Sequence, residues 1–578
     1  MWPIAAAEVV EVCGADARLS GLDELLIDSV TVGDLPPAAG QLYVPVQDDV
    51  DGHDYVVRAL GSGVSLAMVD RAWFEGAELQ REHADRCLLV DDVLTAFRSL
   101  AAHLRRGFRF PVIAVAGSNG KTTTKELIAG LLGEAGLTVS KTLQTMNGYA
   151  GIPYTICQQR HRRDAPPDAL VVEIGIDAVD AMADHARIVA PDVAVITALG
   201  AEHLAGLGSV AAAAEEELRL FESASRRVFL AADPWVRAAM ERIRPRRGDV
   251  VIGEVSDAGG PQELGFELRT TSPHRTVVAL SAGGSRGVLE IPLGGEHNAT
   301  NLACAVGAVL ASELVPAADL LATRRVPTVQ VGMRCEVKRL ACGLTVVDDA
   351  YNASPQSVRA ALRLVSWVGW RRRPKCLVLG DMLELGEASG RLHDELGEQL
   401  AEVDATLVLV GDAMGRAAEA LGSQAIRCPA DASPETVAGH VPTDPATVVL
   451  VKGSRGMQLE RVVAALAARP AKESLALQMA VVGRERAEVA RWVEEALGRA
   501  DTGEVGAFSV GDAAAVRPAT GAVFAGFELD ADVPCPDGAR PEEYQLALMA
   551  QPFMALPEGG IAVLDADDEM SDVLAEVV

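Results

Sequence analysis

Between Ile113 and Leu127 the chain reads Ile-Ala-Val-Ala-Gly-Ser-Asn-Gly-Lys-Thr-Thr-Thr-Lys-Glu-Leu. The apolar run ends at Gly117 and a helical pattern begins at Lys121, which predicts a strand, a tight glycine turn and a helix start. Backbone N–H groups of such a turn point inward, and the helix N-terminus adds positive potential. The loop Gly117, Ser118, Asn119, Gly120 can therefore wrap a triphosphate. Lys121 would reach the outer phosphates and the Thr122 hydroxyl would hold Mg²⁺, with Thr123 beside them in the first helical turn. The usual pattern has a glycine where this chain has Val115, so the loop is the short variant. An ordinary strand–helix turn has no need of Gly-Lys-Thr at this place.

Composition sets the surroundings of that loop. The chain has 578 residues, enough for three or four domains, and 49% hydrophobic residues, enough for real cores. A formal net charge of −29 argues against a nucleic-acid or anionic-membrane partner. Any bound anion must then be held by local basic groups, and Lys121 and Lys452 both fall in Gly-rich contexts. The nine cysteines are scattered, odd in number and form no Cys-x-x-Cys, which predicts free thiols in a reducing cytosol. The first residues carry no basic segment of a signal peptide, and no apolar run is long enough to span a bilayer. A cytoplasmic location is expected.

The chain divides into a small N-terminal α/β domain (1–107), a central α/β domain (108–315), a third α/β domain (316–470) and an extra C-terminal α/β segment (471–578). Val112–Ala116, Ala169–Ile174 and Val193–Thr197 read as buried parallel strands. In the third domain, strands are expected near Leu344–Asp348, Lys375–Leu379, Thr406–Val410 and Thr447–Val451. Ligands of open α/β sheets bind at the carboxyl ends of strands, where the unusual residues of this chain collect. The last segment carries an echo: Met479–Gly498 can be laid on Ile113–Gly133, with Gly483 on Gly117 and Ala487 on Lys121. It reads as a degenerate copy of the central domain that has lost Gly-Lys-Thr, with a packing role in place of ATP binding.

Further motifs follow in order. Leu170-Val-Val-Glu-Ile-Gly puts Glu173 at a strand end. His203 stands in Leu199-Gly-Ala-Glu-His-Leu-Ala-Gly-Leu-Gly-Ser. Gly295-Glu-His-Asn-Ala-Thr-Asn opens a helix at Asn298. Asp348-Asp-Ala-Tyr-Asn-Ala-Ser-Pro, Leu379-Gly-Asp-Met-Leu-Glu-Leu-Gly and Val451-Lys-Gly-Ser-Arg-Gly complete the set. Together with the phosphate loop, over about residues 20–468, this resembles the Mur ligases, and within them the members that add D-alanyl-D-alanine to UDP-N-acetylmuramoyl-tripeptide in peptidoglycan precursor synthesis. Folylpolyglutamate synthetase fits the third domain less well.

The resemblance implies a three-domain Mur ligase architecture with a central P-loop ATPase domain and a Rossmann-like third domain. It implies ATP and Mg²⁺, and small-molecule substrates: a UDP-muramoyl-peptide and a dipeptide or amino acid. ATP would convert a carboxylate to an acyl-phosphate, and an amine would displace the phosphate. By resemblance, Lys121 and Arg334 would meet the phosphates, and Thr122 and Glu173 would hold one Mg²⁺. His203 would help hold a second. Asn298 would lie on the adenine side and Asp349 at the ribose. Asn352, Lys452 and Arg455 would shape the pocket for the amine component. His297 and His393 read as structural residues.

Two positions depart from the family. A lysine after the Leu-Gly-Ser segment is carbamylated in most members, and its place falls on Glu217 here, within Glu215-Glu-Glu217. A glutamate offers the same charge on a shorter arm; the alternative is a solvated helix face. The family's Asp-Ser-Arg at the UDP end reads Asp28-Ser29-Val30, which removes a cation from a diphosphate site. Two other readings therefore stand beside the first: the same ligase chemistry on a different carboxylate and amine, and a non-catalytic scaffold. Intact Lys121, Thr122, Glu173 and His203 speak against the scaffold.

Overall fold

The computed structural model describes residues 2–33, 38–46, 51–77, 79, 81–159, 166–253, 261–324, 326, 332–367, 370–371, 373–470, 478–481 and 560–563. Three α/β sheets follow one another along the chain. The first has five strands in the spatial order Asp16–Ala17, Cys87–Val90, Leu66–Asp70, Gln41–Val44, Ser29–Val32, all parallel except the first pair. The second has nine strands and the third six.

The nine-stranded sheet is built around Val112–Ala116, which lies between Ala169–Glu173 and Val193–Ile196, parallel to both. Val112, Ala114 and Ala116 pack into one apolar cluster, and Ile113 and Val115 into another on the opposite face. A strand covered on both sides needs an unbroken apolar run, and this one has it. From this strand the chain runs on to Val139–Lys141 at one edge, and from the neighbouring Val193–Ile196 to Arg226–Leu230 on the other side, so the loop sits at a topological switch point, where open α/β sheets bind ligands. Helices Lys121–Glu134 and His297–Ser312 cover one face together.

The expected strands of the central and third sheets are present with ends shifted by a residue or two. The sequence reading did not anticipate the antiparallel strands Gln262–Thr271, Thr276–Ala282 and Ser285–Ile291. Burial alternates along the last two and the first is mostly half-buried or exposed, so none is buried throughout like its parallel neighbours. In the six-stranded sheet, Thr345–Asp349 and Lys375–Gly380 flank Val448–Lys452, all three parallel, with Glu336–Arg339 antiparallel at the edge. Helix Pro355–Val365 starts at a Ser354 capping box followed by Pro355, which accounts for the Ala-Ser-Pro motif. In the last segment, strands Gln478–Val481 and Gly560–Val563 pair in parallel. The rest of the proposed degenerate copy, Gly483 and Ala487 included, lies outside the described residues. The eight described cysteines are free thiols.

His185, on helix Ala181–Val189, is fully buried and neither ring nitrogen has a hydrogen-bond partner. Its ring meets Tyr149 edge-on with centroids 4.7 Å apart, and the Arg98 guanidinium lies over the same tyrosine. Burial, aided by the Arg98 charge, pushes its pKa down to about 4. The unfolded chain takes up this proton near pH 6.5 and the folded chain only near 4, so the group costs stability as pH falls through that interval. Urea unfolding at pH 7 and pH 4 should show wild type losing roughly 3 kcal/mol more than His185→Leu.

Candidate active site

A cleft of about 700 Å³ lies between the carboxyl ends of the central and third sheets. Its walls come from the phosphate loop, the turns after Ala169–Glu173 and Val193–Ile196, the start of helix His297–Ser312 and three loops of the third sheet. Among the described residues, none before Ser118 lines it. Asp28 and Ser29 therefore stand apart, at the start of a strand in the first sheet, where the Ser29 hydroxyl donates to the Asp28 carboxylate at 2.7 Å. Val30 is buried, and its carbonyl accepts from the Gln158 amide of the central unit.

The phosphate loop is backbone with no room for more. Gly117 and Gly120 have φ of +120° and +89°. A Cβ on Gly120 would fall 2.2 Å from Asn301 Oδ1, and one on Gly117 2.4 Å from Thr197 Oγ1. Asn301 is held in turn by Asn298, whose Oδ1 accepts its amide at 2.9 Å. Ser118 is fixed through its hydroxyl, which donates to the Gly200 carbonyl and accepts from the Gly200 N–H. Asn119 reaches out of the central unit altogether. It donates to Gln356 at 3.0 Å and accepts from Ser354 at 2.8 Å, both at the cap of a third-unit helix.

Lys121 donates to the Gly117 carbonyl at 2.6 Å and pairs with Glu202 at 3.1 Å. Burial opposes its charge, but Glu202, Glu217 and Glu173 outweigh burial and hold its pKa above the ordinary lysine value. Thr122 donates to Glu173 Oε1 at 3.0 Å, and Asn147 donates to the same oxygen at 2.8 Å. Arg334 crosses from the third unit, donates to Thr122 Oγ1 at 3.1 Å and lies over the Tyr351 ring. Thr123 lines the cleft one residue on. Glu173 Oε2 is buried and makes no hydrogen bond, although Lys125 Nζ lies 3.3 Å from it. A buried carboxylate oxygen without a hydrogen bond, beside a hydroxyl, is donor chemistry suited to a hard divalent cation.

Glu217 is 3% exposed while Glu215 is on the surface, so the three glutamates are not a solvated face. Glu217 Oε2 accepts the Gly117 N–H at 2.9 Å. Burial raises its pKa to about 7, against the pull of Lys121 and the Gly117 N–H. His203, at φ +51°, pairs through Nδ1 with Glu384 at 2.5 Å, and its Nε2 lies 3.9 Å from Glu202. Burial opposes protonation of His203, yet the Glu384 hydrogen bond and the Glu202 charge raise its pKa above the ordinary histidine value.

In the third unit, Lys452 is buried and donates to Asp349 Oδ2 at 2.6 Å and to the Asn352 carbonyl at 2.8 Å. Asp349 also accepts the Cys335 N–H. This pair pins neighbouring strand ends and sets the Asn352 turn from beneath. Asn352 faces Glu202 across the cleft at 3.4 Å, and Arg455 lines the rim, paired with Glu460. His393 accepts the Met382 N–H and is structural, as expected. His297 is not only structural: it lines the cleft beside Asn298, with its pKa pushed down to about 4 by burial. The sequence reading assigned no role to Glu202, Asn147, Asn301, Ser354, Gln356 or Glu384. All but Asn147 and Gln356 stand inside motifs it quoted, so the signal was proximity to a singled-out residue.

Family models match in two places: the Mur ligase middle domain over residues 115–309, and the Mur ligase, glutamate ligase domain over residues 333–455. The UDP-N-acetylmuramoyl-tripeptide–D-alanyl-D-alanine ligase of Bacillus subtilis (strain 168) is 33% identical over 364 residues, 62% of this chain and 74% of the relative. A crystal structure of MurF from Acinetobacter baumannii superposes with a TM-score of 0.68 at 23% identity, over 80% of this chain and 99% of that one. MurF from Thermotoga maritima, in complex with ADP, gives a TM-score of 0.60 at 27% identity, over 76% and 97%.

The packing around Gly120 makes a direct test. Gly120→Ala adds a Cβ onto Asn301 at a φ that L-residues avoid, and should cost about 1–3 kcal/mol by urea unfolding. ADP affinity by calorimetry should fall at least about tenfold, because the loop must shift where its N–H groups converge.

Proposed function

The chain belongs to the Mur ligase family, and we propose that the cleft is where it joins D-alanyl-D-alanine to UDP-N-acetylmuramoyl-tripeptide. It is a MurF-type, ATP-dependent ligase that forms a C–N bond. The observation that carries the site assignment is the contact of both units on one phosphate loop: Arg334 on Thr122, and Ser354 with Gln356 on Asn119. A cleft so assembled can hold a nucleotide on one wall and an acceptor and amine on the other.

The reaction has two steps. The tripeptide carboxylate forms a bond to the γ-phosphorus of ATP, and ADP leaves. The dipeptide nitrogen then attacks the acyl carbon, phosphate departs, and the ammonium proton is released. Both steps gather negative charge on phosphoryl oxygens, which calls for fixed cations and N–H donors in a closed site. The Gly120 N–H and those of the following helical turn meet the phosphates, while the N–H groups of Gly117, Ser118 and Asn119 hold the loop in shape through Glu217 and the Ala198 carbonyl. Lys121 exchanges Glu202 for phosphate oxygen, and Arg334 closes on the same group from the third unit. Asn298 and His297 bound the nucleoside end, with Asp349 toward the ribose. Asn352, set by Lys452, and Arg455 receive the amine component. Mg²⁺, held by Thr122 and Glu173 at one position and by His203 and Glu217 at another, would neutralise phosphoryl charge. The first sheet, with Asp28 and Ser29, would take the UDP end. The enzyme would act in the cytoplasm in peptidoglycan synthesis, and so serve cell-wall growth, cell shape and division.

ADP release measured across a panel of UDP-muramoyl-peptides and amine donors tests the substrate assignment. Turnover with the tripeptide and D-alanyl-D-alanine should exceed every other pair. A higher rate on an unrelated carboxylate would favour the alternative ligase reading, prompted by Val30 at the UDP site. Lys121→Ala should reduce turnover by orders of magnitude in a folded protein, as expected for a lost transition-state cation.

Glu217 stands where the family resemblance calls for a lysine carbamate, and it needs no CO₂. Turnover should therefore be unchanged in CO₂-depleted buffer, assayed by the same ADP release. Glu217→Gln should raise the Mg²⁺ concentration for half-maximal turnover, while Glu215→Gln on the surface should leave it unaltered.

A further inference from the structure

The loop Asp381–Gly386 of the third unit lies directly on the His203–Gly206 loop of the central unit. The Ala205 N–H donates to the Glu384 carbonyl at 2.9 Å. A Cβ on Gly386 would meet Ala205 Cα at 3.1 Å and Ala205 N at 3.3 Å. Backbone therefore meets backbone, with no side chain able to enter. Both His203 and Glu384 hold left-handed conformations, at φ +51° and +64°. Non-glycine residues keep such conformations where their surroundings over-determine them, and these cluster at functional sites.

Between these two strained residues runs the Nδ1–Glu384 contact of 2.5 Å. Glu384 is 62% exposed, so its charge is screened and the pair adds little energy. What it sets is direction. In the neutral imidazole, a proton on Nδ1 directed at the carboxylate leaves the Nε2 lone pair on the opposite edge, where Glu202 lies 3.9 Å away. A histidine that holds a metal through one nitrogen commonly donates its other N–H to a carboxylate, which fixes tautomer and ring orientation.

We propose that Glu384 is the positioning residue for His203: the third unit supplies the carboxylate that aims a central-unit imidazole into the cleft, so the site is complete only when the two units are docked. This rests on the reading of His203 as a metal-facing residue given above. The sequence carried the residue inside Gly-Asp-Met-Leu-Glu-Leu-Gly without a role for it.

The test is Mn²⁺ binding to the full-length protein with a non-hydrolysable ATP analogue, read by electron paramagnetic resonance, in wild type, Glu384→Gln, Glu384→Ala, His203→Ala and the double variant Glu384→Ala/His203→Ala. Wild type should show a His203-dependent Mn²⁺ equivalent. Glu384→Ala should weaken that equivalent about tenfold or more. Glu384→Gln, whose amide oxygen still accepts from Nδ1, should recover part of the loss. In the His203→Ala background, removing Glu384 should have no further effect, because a residue that acts through another is silent once that other is gone. Thermal melting of each variant reports whether the fold is intact, and the Gln variant keeps the length and shape of the native side chain. Unchanged Mn²⁺ affinity in Glu384→Ala, or losses that add in the double variant, would overturn the proposal. A titration with no His203-dependent equivalent would overturn it together with the metal role of His203. No acceptor or amine is present, so failure of the substrate panel leaves this result standing.

Discussion

A triphosphate has to be wrapped by bare backbone, and that requirement organises the molecule. N–H groups can converge on phosphate oxygens only where no side chain intervenes, so Gly117 and Gly120 take conformations closed to other residues. Such a loop has no stiffness of its own. Stiffness comes from the strand before it, Val112–Ala116, buried on both faces, and from the helix after it, packed against His297–Ser312. Asn301 fills the space a Gly120 side chain would need, and Asn298 holds Asn301. Asn298 thus acts on the phosphate loop as well as on the cleft wall.

The same loop is also where the two large units meet. Asn119 is a loop residue by sequence, yet its side chain is spent on Ser354 and Gln356 of the third unit. Arg334 reaches the opposite end of the loop at Thr122. The buried Lys452–Asp349 pair, whose members are register partners on adjacent parallel strands, fixes the turn that carries Asn352 toward the cleft. A buried pair of this kind adds little net stability against an apolar replacement, but breaking it leaves a charge without a partner. Its consequence here is geometric: it holds a turn.

How much of this was legible in the sequence depended on range. The phosphate loop was legible because strand, glycines, lysine and helix are contiguous and each has a local physical reason. Glu173, His203 and Asn298 were legible as polar residues at strand ends and a helix start, where α/β sheets place ligands. Glu217 was legible through the family resemblance, with a solvated helix face as the alternative; the run of three glutamates gives no sign that Glu216 and Glu217 are buried and Glu215 exposed, which packing of the helix decides. The antiparallel strands after Gln262 escaped because half-buried strands with Gly and charged residues lack a continuous apolar run. Glu384, Gln356 and Ser354 act through contacts between residues more than 150 apart in the chain, and no local pattern encodes those.

The electrostatics of the cleft then follow from the chain's own charge. Lys121 is surrounded by Glu202, Glu217 and Glu173, three carboxylates within the field of one ammonium. Burial, and after it the neighbouring Glu202 charge, raise the pKa of Glu217 to about 7 against the pull of Lys121 and the Gly117 N–H. A triphosphate brings further negative charge into this setting, on a protein with a formal charge of −29. Arg334 and the loop N–H groups offset part of it. On the proposed reading, the rest would come from cations that enter with the nucleotide. With Mg²⁺ entering beside the nucleotide on that reading, Glu173 and Glu217 would each face a cation, and the Lys121 ammonium would be free to meet phosphate.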